Sequence, residues 1–229
     1  MLAVVLAGCS GTGANTTTDV TATGTSLTVF LSDPPAVRAD QALQDVVEAE
    51  QLAFVEHAGA LKNVSLRPRT LTKGSQVSDL ARTAIENNSA IAYVGEVQSG
   101  LSRQTVGITN AEDLLELSPT DPVKPSQANF ESYSSYGRTF ASLPLDLGTS
   151  PAALNRADPA FARDFRRDFG HAPSADAIEG YDAVWVLLRV LSAEGGHAND
   201  RAKVAASVIA TLKENAGRAS VPAFTIKLK

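Results

Sequence analysis

The chain has 229 residues, 44% of them hydrophobic, and its 20 basic and 25 acidic residues give a net charge of −5. These values exclude a disordered protein, and the lack of several apolar runs of roughly 20 residues excludes a polytopic membrane protein. A pI near 5.2 without a basic cluster argues against a nucleic-acid partner. One cysteine and three histidines exclude a disulfide framework and a Cys-rich metal site. The length allows one large domain or two small ones.

A short apolar run opens the chain and ends in Leu6-Ala7-Gly8-Cys9. It is too short to span a bilayer, and its end resembles the lipobox of bacterial lipoproteins, which are cut before a cysteine that then carries a lipid. We therefore expect a signal peptide over 1–8, lipidation at Cys9 and a flexible tether over 9–25. No basic segment precedes the apolar run, so we expect the signal peptide to be incomplete or its start codon to lie upstream. The alternative is an ordinary buried cysteine in a strand.

Strand-like and helix-like segments alternate four times between residues 26 and 119. Apolar, β-rich runs predict strands over 26–32, 63–71, 90–96 and 114–118. Pro68 places the second of these at a sheet edge or a bulge. Helical spacing predicts helices over 40–57, over 75–87 with Ser75 as the cap, and from Ser99 to about Val106. The pattern predicts an α/β fold with a doubly wound, mostly parallel sheet and helices on both faces.

The second half of the chain continues this fold with more helices. Residues 120–137 predict a loop and residues 138–145 a fifth strand. Three helices are predicted: Asp158–Phe169 with three phenylalanines on one face, a buried and almost wholly apolar one from the cap Ser174 to Gly195-Gly196, and Arg201 to about Asn215. A last strand is predicted over 221–228.

The candidate binding residues follow from the rule that open parallel sheets bind ligands beyond the carboxyl ends of their strands. Those ends carry Ser32 and Asp33, then the segment 95–100, then the segment 118–120. Backbone N–H groups at the neighbouring helix starts suit a carboxylate, and the hydroxyls of Ser99 and Thr120 add donors. In the alternative interpretation, Ser99 only caps its helix and 118–120 is an ordinary turn. Glu96 disfavours an anionic ligand unless its side chain faces away.

Little in the sequence favours an enzyme. The histidines His57, His171 and His197 fall where solvated side chains are typical, and no Gly-x-Ser-x-Gly elbow, phosphate loop or HExxH stretch occurs. The charged run over 164–168 is typical of a wet helix face, and two loop tyrosines, Tyr133 and Tyr136, offer rings for stacking on a ligand. We assign no catalytic residue, no metal ligand and no cofactor.

Three segments together resemble a known family. The stretch Ile91 to Glu96 followed by Ser99 resembles an "(I/V)G-x-x-S" turn, with three residues instead of two between Gly95 and Ser99, and Leu117-Ser118-Pro119-Thr120 matches "S-(P/A)-(S/T)". The segment 161–174, FARDFRRDFGHAPS, with GYDA at 180–183, matches "F…F…(F/Y)G-x-x-P…(G)YDA". These patterns are similar to those of type I periplasmic solute-binding proteins, and more narrowly to the branched-chain amino acid receptors of ABC importers. Arg138-Thr139-Phe140 resembles the segment that enters their second lobe.

The resemblance implies two α/β lobes that close on a ligand and pass it to a membrane permease. It implies ligand contacts by Ser99, Ser118 and Thr120, with Gln98 as a weaker member. Family members have several further strands and helices between residues 140 and 161, where this chain has about twenty residues. We therefore expect one lobe over 26–229 with most of the second lobe absent, which leaves the site open on one side.

Three functions remain open at this stage. The first is a lipid-anchored extracytoplasmic solute-binding protein of an ABC importer, for branched-chain amino acids or similar small polar solutes. The second is a membrane-anchored interaction or sensory module that kept the fold but lost ligand binding, with a homodimer covering the surface where the second lobe would pack. The third and weakest is a hydrolase or transferase on a related α/β sheet.

Overall fold

A computed structural model describes residues 20–71, 74–123, 139–142 and 159–215. The strands are β1 Leu27–Ser32, β2 Val64–Arg69, β3 Ala90–Val94, β4 Leu115–Ser118 and β5 Phe140–Ser142. The helices are α1 Gln41–His57, α2 Val77–Ile85, α3 Ser102–Ala111, α4 Pro159–Phe169, α5 Ala177–Glu194 and α6 Arg201–Asn215.

All the described strands form a single parallel sheet in the order β2-β1-β3-β4-β5. This arrangement confirms the predicted α/β fold class. Strands β1, β3 and β4 are buried along their whole length, as expected for parallel strands with helices on both faces. Strand β2 lies at the edge and is only partly buried, so Pro68 stands where its lack of an N–H group is tolerated.

The helices are divided between the two faces of the sheet. On one face, α1, α5 and α6 pack against a large apolar cluster that includes Val29, Leu31 and Leu115. On the other face, α2 packs against Phe30 and Tyr93 in a smaller cluster. Helix α4 joins the larger cluster through its three phenylalanines, as their common face predicted.

The contact between α1 and α5 depends on one glycine. A Cβ atom at Gly180 would lie 2.3 Å from the backbone oxygen of Val46, so any larger residue would force the two helices apart. The close approach lets α5 bury most of its length, including Tyr181, Val184 and Leu187. The prediction of a buried helix in this part of the chain is confirmed.

Three predicted helix starts were wrong by a few residues. Helix α2 begins after Gln76, which with Asp79 forms a reciprocal capping box in place of the expected Ser75 cap. Helix α5 begins after Asp176, and Ser174 instead bonds the carboxylate of Asp45 through its N–H. Helix α3 begins at Ser102, so Ser99 lies before the helix and does not cap it. Such boundaries depend on which acceptor reaches the first-turn N–H groups, which sequence spacing does not determine.

Thr21 and Ala22, near the end of the expected tether, pack against the rest of the fold. Thr21 forms an isolated β-bridge with Asp200, and Ala22 is buried and donates its N–H to the carbonyl of Asn199 at 2.7 Å. Several predicted features lie outside the described residues, namely the expected signal peptide over 1–8, Cys9, Tyr133, Tyr136, Arg138 and the expected strand over 221–228. Among the helices that the structure describes, none is long and apolar enough to cross a membrane.

Candidate functional site

The strand order reverses between β1 and β3, and the loops that follow these strands lie side by side at the carboxyl end of the sheet. In doubly wound sheets this is the position where ligands bind. Gly95, directly after β3, has φ +144°, and a Cβ atom there would lie 2.6 Å from the Cβ atom of Ser32. A glycine is therefore required for the loop after β3 to pass this close to the end of β1.

Glu96 is fully buried between the ends of these two strands. Its carboxylate accepts hydrogen bonds from the hydroxyl of Ser32 at 2.8 Å and from the hydroxyl of Tyr93. Burial raises the pKa of Glu96 to about 7, and the charge of Asp121 adds to the rise, while the two hydrogen bonds oppose it. The side chain thus faces into the protein, so Glu96 does not present its carboxylate to a ligand at the surface.

The hydroxyls of Ser118 and Thr120 join the loops after β3 and β4. The Ser118 hydroxyl lies 2.8 Å from the carbonyl oxygen of Glu96 and accepts the N–H of Asp121 at 3.0 Å. The Thr120 hydroxyl donates to the carbonyl of Val97 at 2.7 Å. The structure therefore brings both predicted residues to the expected edge, but their hydroxyls bond the protein's own backbone.

Asp121 occupies the anion position that the sequence suggested for a ligand carboxylate. Its two carboxylate oxygens accept the N–H groups of Gly100 and Ser102, each at 2.7 Å, at the start of α3. A carboxylate at a helix N-terminus satisfies free N–H groups and interacts favourably with the helix dipole. The protein supplies this anion itself, and the residue is buried.

Ser99 and Gln98 remain available at the same edge. Ser99 is exposed, Gln98 is half-buried, and neither side chain hydrogen-bonds to any residue in the described part of the chain. They lie on a segment whose backbone forms hydrogen bonds with Thr120 before them and with Asp121 after them. Of the four predicted ligand contacts, these two have polar groups free to meet a solute.

Sequence reasoning missed a buried acid beside this site. Glu50 on α1 is fully buried, and its two carboxylate oxygens have no hydrogen-bond partner among the described residues. Burial raises its pKa well above the usual range, and the charges of Glu96 and Asp33 add to this effect. The available signal was the position of Glu50 on the apolar face of α1, between Val47 and Leu52.

A cavity of about 250 Å³ opens beside the end of β1. Its lining is Asp33, Val37, Arg38, Gln44, Val47, Glu48, Gln51 and Phe169. Arg38 forms an ion pair with Asp33 at 2.7 Å across the mouth of the loop after β1. The cavity is mostly polar in its residues and adjoins the carboxyl end of the sheet.

Two of the three histidines are not simply solvated, contrary to expectation. His57 is half-buried, and its Nε2 lies 2.7 Å from the hydroxyl of Tyr181. Burial lowers the pKa of His57, the charge of Glu56 opposes this effect, and Arg189 adds to it. His171 lies beside Asp45 and Glu48. His197 is exposed, as predicted, and the charged run on α4 forms surface ion pairs.

The fold is that of periplasmic solute-binding proteins of type I, as comparison with solved structures shows. A leucine-binding protein from Thermotoga maritima has a TM-score of 0.60 and 13% identity, over 85% of this chain and 90% of the other. A substrate-binding protein of an ABC transporter from Desulfitobacterium hafniense, in complex with leucine, has a TM-score of 0.54 and 13% identity, over 80% and 88% of the two chains.

A third neighbour binds a related ligand. It is the substrate-binding protein of a branched-chain amino acid transporter from Streptococcus pneumoniae, in complex with isoleucine, with a TM-score of 0.55 and 11% identity over 80% and 88% of the two chains. The resemblance read from the sequence is thus confirmed at the level of the fold. No protein-family model matches the sequence, and no curated protein sequence matches it.

Proposed function

We propose that this protein is a non-enzymatic solute-binding protein of an ABC importer, anchored by a lipid at Cys9 on the extracytoplasmic side of the membrane. Its solutes are branched-chain amino acids or similar small polar molecules, and its protein partner is the importer's permease. The lobe over 26–229 carries the site. The fold shared with proteins solved in complex with leucine and isoleucine supports this proposal.

The single observation that carries the proposal is the geometry of the loops after β3 and β4. Ser118, Thr120 and Asp121 hold the loop after β4 against the loop after β3, which borders the strand-order reversal where doubly wound sheets bind ligands. This framework leaves Ser99 and Gln98 with free polar groups at the surface. Loops that are already held by internal hydrogen bonds favour binding, because only the side chains of Ser99 and Gln98 must be ordered when the ligand arrives.

The test is calorimetric titration with leucine, isoleucine, valine and a panel of other amino acids, together with thermal unfolding. A solute at 100 times its Kd stabilises the folded protein by about 2.7 kcal/mol. Replacing Ser99 with Ala removes one hydrogen bond and should weaken binding roughly 2- to 10-fold. The matched control is S192A, an exposed serine on α5 at the other end of α1, which should leave binding unchanged. Absence of any thermal shift at millimolar solute would refute the proposal.

A second candidate is a membrane-anchored interaction or sensory module that kept the fold and lost ligand binding. It is favoured by the internal use of the Ser118 and Thr120 hydroxyls and by Asp121, which takes the N–H groups at the start of α3. This candidate predicts no thermal shift with any solute and a homodimer in solution. Measurement of the solution mass beside the titration therefore separates the two functions.

A further inference from the structure

Two carboxylates and an imidazole meet outside the loops described above. Asp45 and Glu48 lie one turn apart on α1, and His171 reaches them from the loop between α4 and α5. One donor atom from each residue lies within 4.8 Å of the other two. His171 Nε2 is 3.5 Å from Glu48 Oε2, and His171 Nδ1 is 3.8 Å from Asp45 Oδ1. The exposed fractions of the side chains are 3% for Asp45, 16% for Glu48 and 37% for His171.

Neighbouring groups hold both carboxylates in place. Asp45 accepts hydrogen bonds from the amide of Gln41 at 2.8 Å and from the N–H of Ser174 at 2.7 Å. The other carboxylate, on Glu48, accepts from the amide of Gln44 at 2.7 Å through Oε1. Such outer contacts orient the ligands of metal sites and are part of their design.

The second oxygen of Glu48 is the unexplained atom of the cluster. Oε2 is buried and accepts no hydrogen bond from the described residues, although it faces the imidazole of His171. A buried acceptor without a donor is unfavourable and requires an explanation, of which an ion is one. Two carboxylates and one imidazole also form a donor set that suits a divalent cation.

The imidazole is placed to act as a ligand. His171 Nδ1 lies 3.2 Å from the carbonyl oxygen of Ala172, so the tautomer protonated at Nδ1 donates to that backbone group. Its Nε2 lone pair then faces Glu48 Oε2. Metal-binding histidines typically donate their second N–H to a backbone carbonyl or a carboxylate in this way.

We propose that Asp45, Glu48 and His171 bind a divalent transition-metal ion of the zinc class. Imidazole nitrogen and carboxylate oxygen bind zinc at about 2.0–2.2 Å, so ligand atoms of a tetrahedral site are separated by roughly 3.5 Å. The separation of His171 Nε2 from Glu48 Oε2 already has this value, at 3.5 Å. Binding of the ion replaces only the 3.4 Å contact between the Gln41 amide and His171 Nε2, and the amide keeps its hydrogen bond to Asp45.

The site has an open side and a structural consequence. Glu48 also lines the cavity of about 250 Å³ beside the end of β1. This cavity leaves room for a water molecule as the fourth ligand of the ion. A bound ion ties α1 to the loop that carries His171 and Ser174, and so fixes how α4 and α5 meet α1. This inference is independent of solute binding.

The test is titration of the full chain, freed of metal with a chelator, with zinc chloride. All proteins carry Cys9→Ser, because a free thiol at the chain's sole cysteine would compete for zinc. We expect saturable binding of one zinc ion per chain and a rise in Tm. Loss of a residue that only orients a metal ligand lowers metal affinity roughly 10- to 100-fold. The variants H171A and E48Q each remove a ligand, so their zinc affinity should fall by more than this. The matched control is H197A, which removes an exposed histidine and should bind zinc normally.

Two results would overturn the proposal. One is the absence of saturable zinc binding, and the other is equal binding by H171A and H197A. Ion pairs between a protonated His171 and both carboxylates would produce the first of these results, with zinc leaving Tm unchanged while H171A lowers Tm in the presence of chelator. If H171A does not fold, E48Q decides, because the amide is isosteric with the carboxylate and removes only its charge.

Discussion

The two ends of the sheet bury charged groups in contrasting ways. At the amino end, the guanidinium of Arg201 donates to the carbonyls of Ala90, Asn87 and Glu112 at 2.9, 3.1 and 3.2 Å. At the carboxyl end, Glu96 has hydrogen bonds to its carboxylate whereas Glu50 has none within the described chain. Hydrogen bonds thus offset the cost of removing the charged group from water at the amino end. At the carboxyl end, part of this cost is not offset.

This difference separates a structural end of the molecule from the end that carries the candidate site. Backbone carbonyls take the place of the water that would otherwise hydrate the guanidinium of Arg201. These hydrogen bonds join α6 to the starts of β3 and β4. Buried carboxyl groups with raised pKa values, as at Glu50 and Glu96, are typical of binding and catalytic sites, where stability is given up for chemistry. Four predictions test the contrast, beginning with the largest expected effect.

Replacing Arg201 with Met should lower the free energy of unfolding by about 3 kcal/mol, because one buried and two partly buried backbone carbonyls lose their donor. Denaturant unfolding measures the change. The control is R166M, which removes an exposed arginine of α4 and should change stability by less than about 0.5 kcal/mol. Equal effects of the two variants would show that the amino end does not depend on this guanidinium.

The stability of the protein should fall between pH 5 and pH 8. The pKa of Glu96 rises from the ordinary 4.5 to about 7 on folding, so the folded state binds more protons in this window and its advantage is lost as pH rises through 7. For Glu96 alone the loss amounts to about 3 kcal/mol. The pKa values of Glu50, Glu116 and Glu179 are raised too, mainly by burial.

The variant E96Q isolates the contribution of this carboxyl group. Glutamine keeps an acceptor for Ser32 or Tyr93 but does not titrate, so urea unfolding at pH 5 and pH 8 should show a smaller difference than in the original protein. An unchanged difference would assign the pH dependence to the other buried acids.

Replacing Asp121 with Ala should cost about 2 kcal/mol, because two N–H groups at the start of α3 lose their acceptor. Asp176 provides the matched control, since it precedes α5 but its side chain makes no capping hydrogen bond. Thermal unfolding of D121A and D176A compares the two, and D176A should stay within about 0.5 kcal/mol of the original protein. A similar cost for both would mean that the carboxylate of Asp121 acts only through the helix dipole.

The smallest effects should distinguish Ser118 from Ser99. S118A should lower the free energy of unfolding by about 1 kcal/mol, because a buried hydroxyl that joins two loops is lost. S99A should leave stability within about 0.5 kcal/mol, since the residue is exposed. Paired unfolding and solute titration check both variants. A loss of stability in S99A would place Ser99 in the framework rather than at the ligand surface.

The sequence predicted the edge of the sheet at which the site lies, but not the state of its groups. Periodicity placed Ser99, Ser118 and Thr120 after the ends of adjacent strands, because parallel strands align their carboxyl ends. It did not reveal that the hydroxyls of Ser118 and Thr120 bond the backbone of the loop after β3. These partners lie more than twenty positions away in the chain, beyond the reach of local pattern.

Glu50, Asp121 and the cluster of Asp45, Glu48 and His171 show the same limit. A glutamate on the apolar face of α1 was visible in the sequence, but its burial depends on how α1 packs against the sheet. His171 read as a solvated residue because its neighbours Gly170 and Pro173 indicate a turn. Only the packing of α1 against the loop before α5 places it beside two carboxylates.

By itself, the sequence determined the α/β class, the parallel sheet and the resemblance to a known fold, and it narrowed β2 to a sheet edge or a bulge. These features follow from the spacing of apolar residues along the chain, because each helix or strand must turn its apolar side chains towards the core. The tertiary structure decided which polar groups form hydrogen bonds inside the protein and which remain free at its surface. That division depends on distances between segments far apart in the chain, and on the loss of water when they pack together.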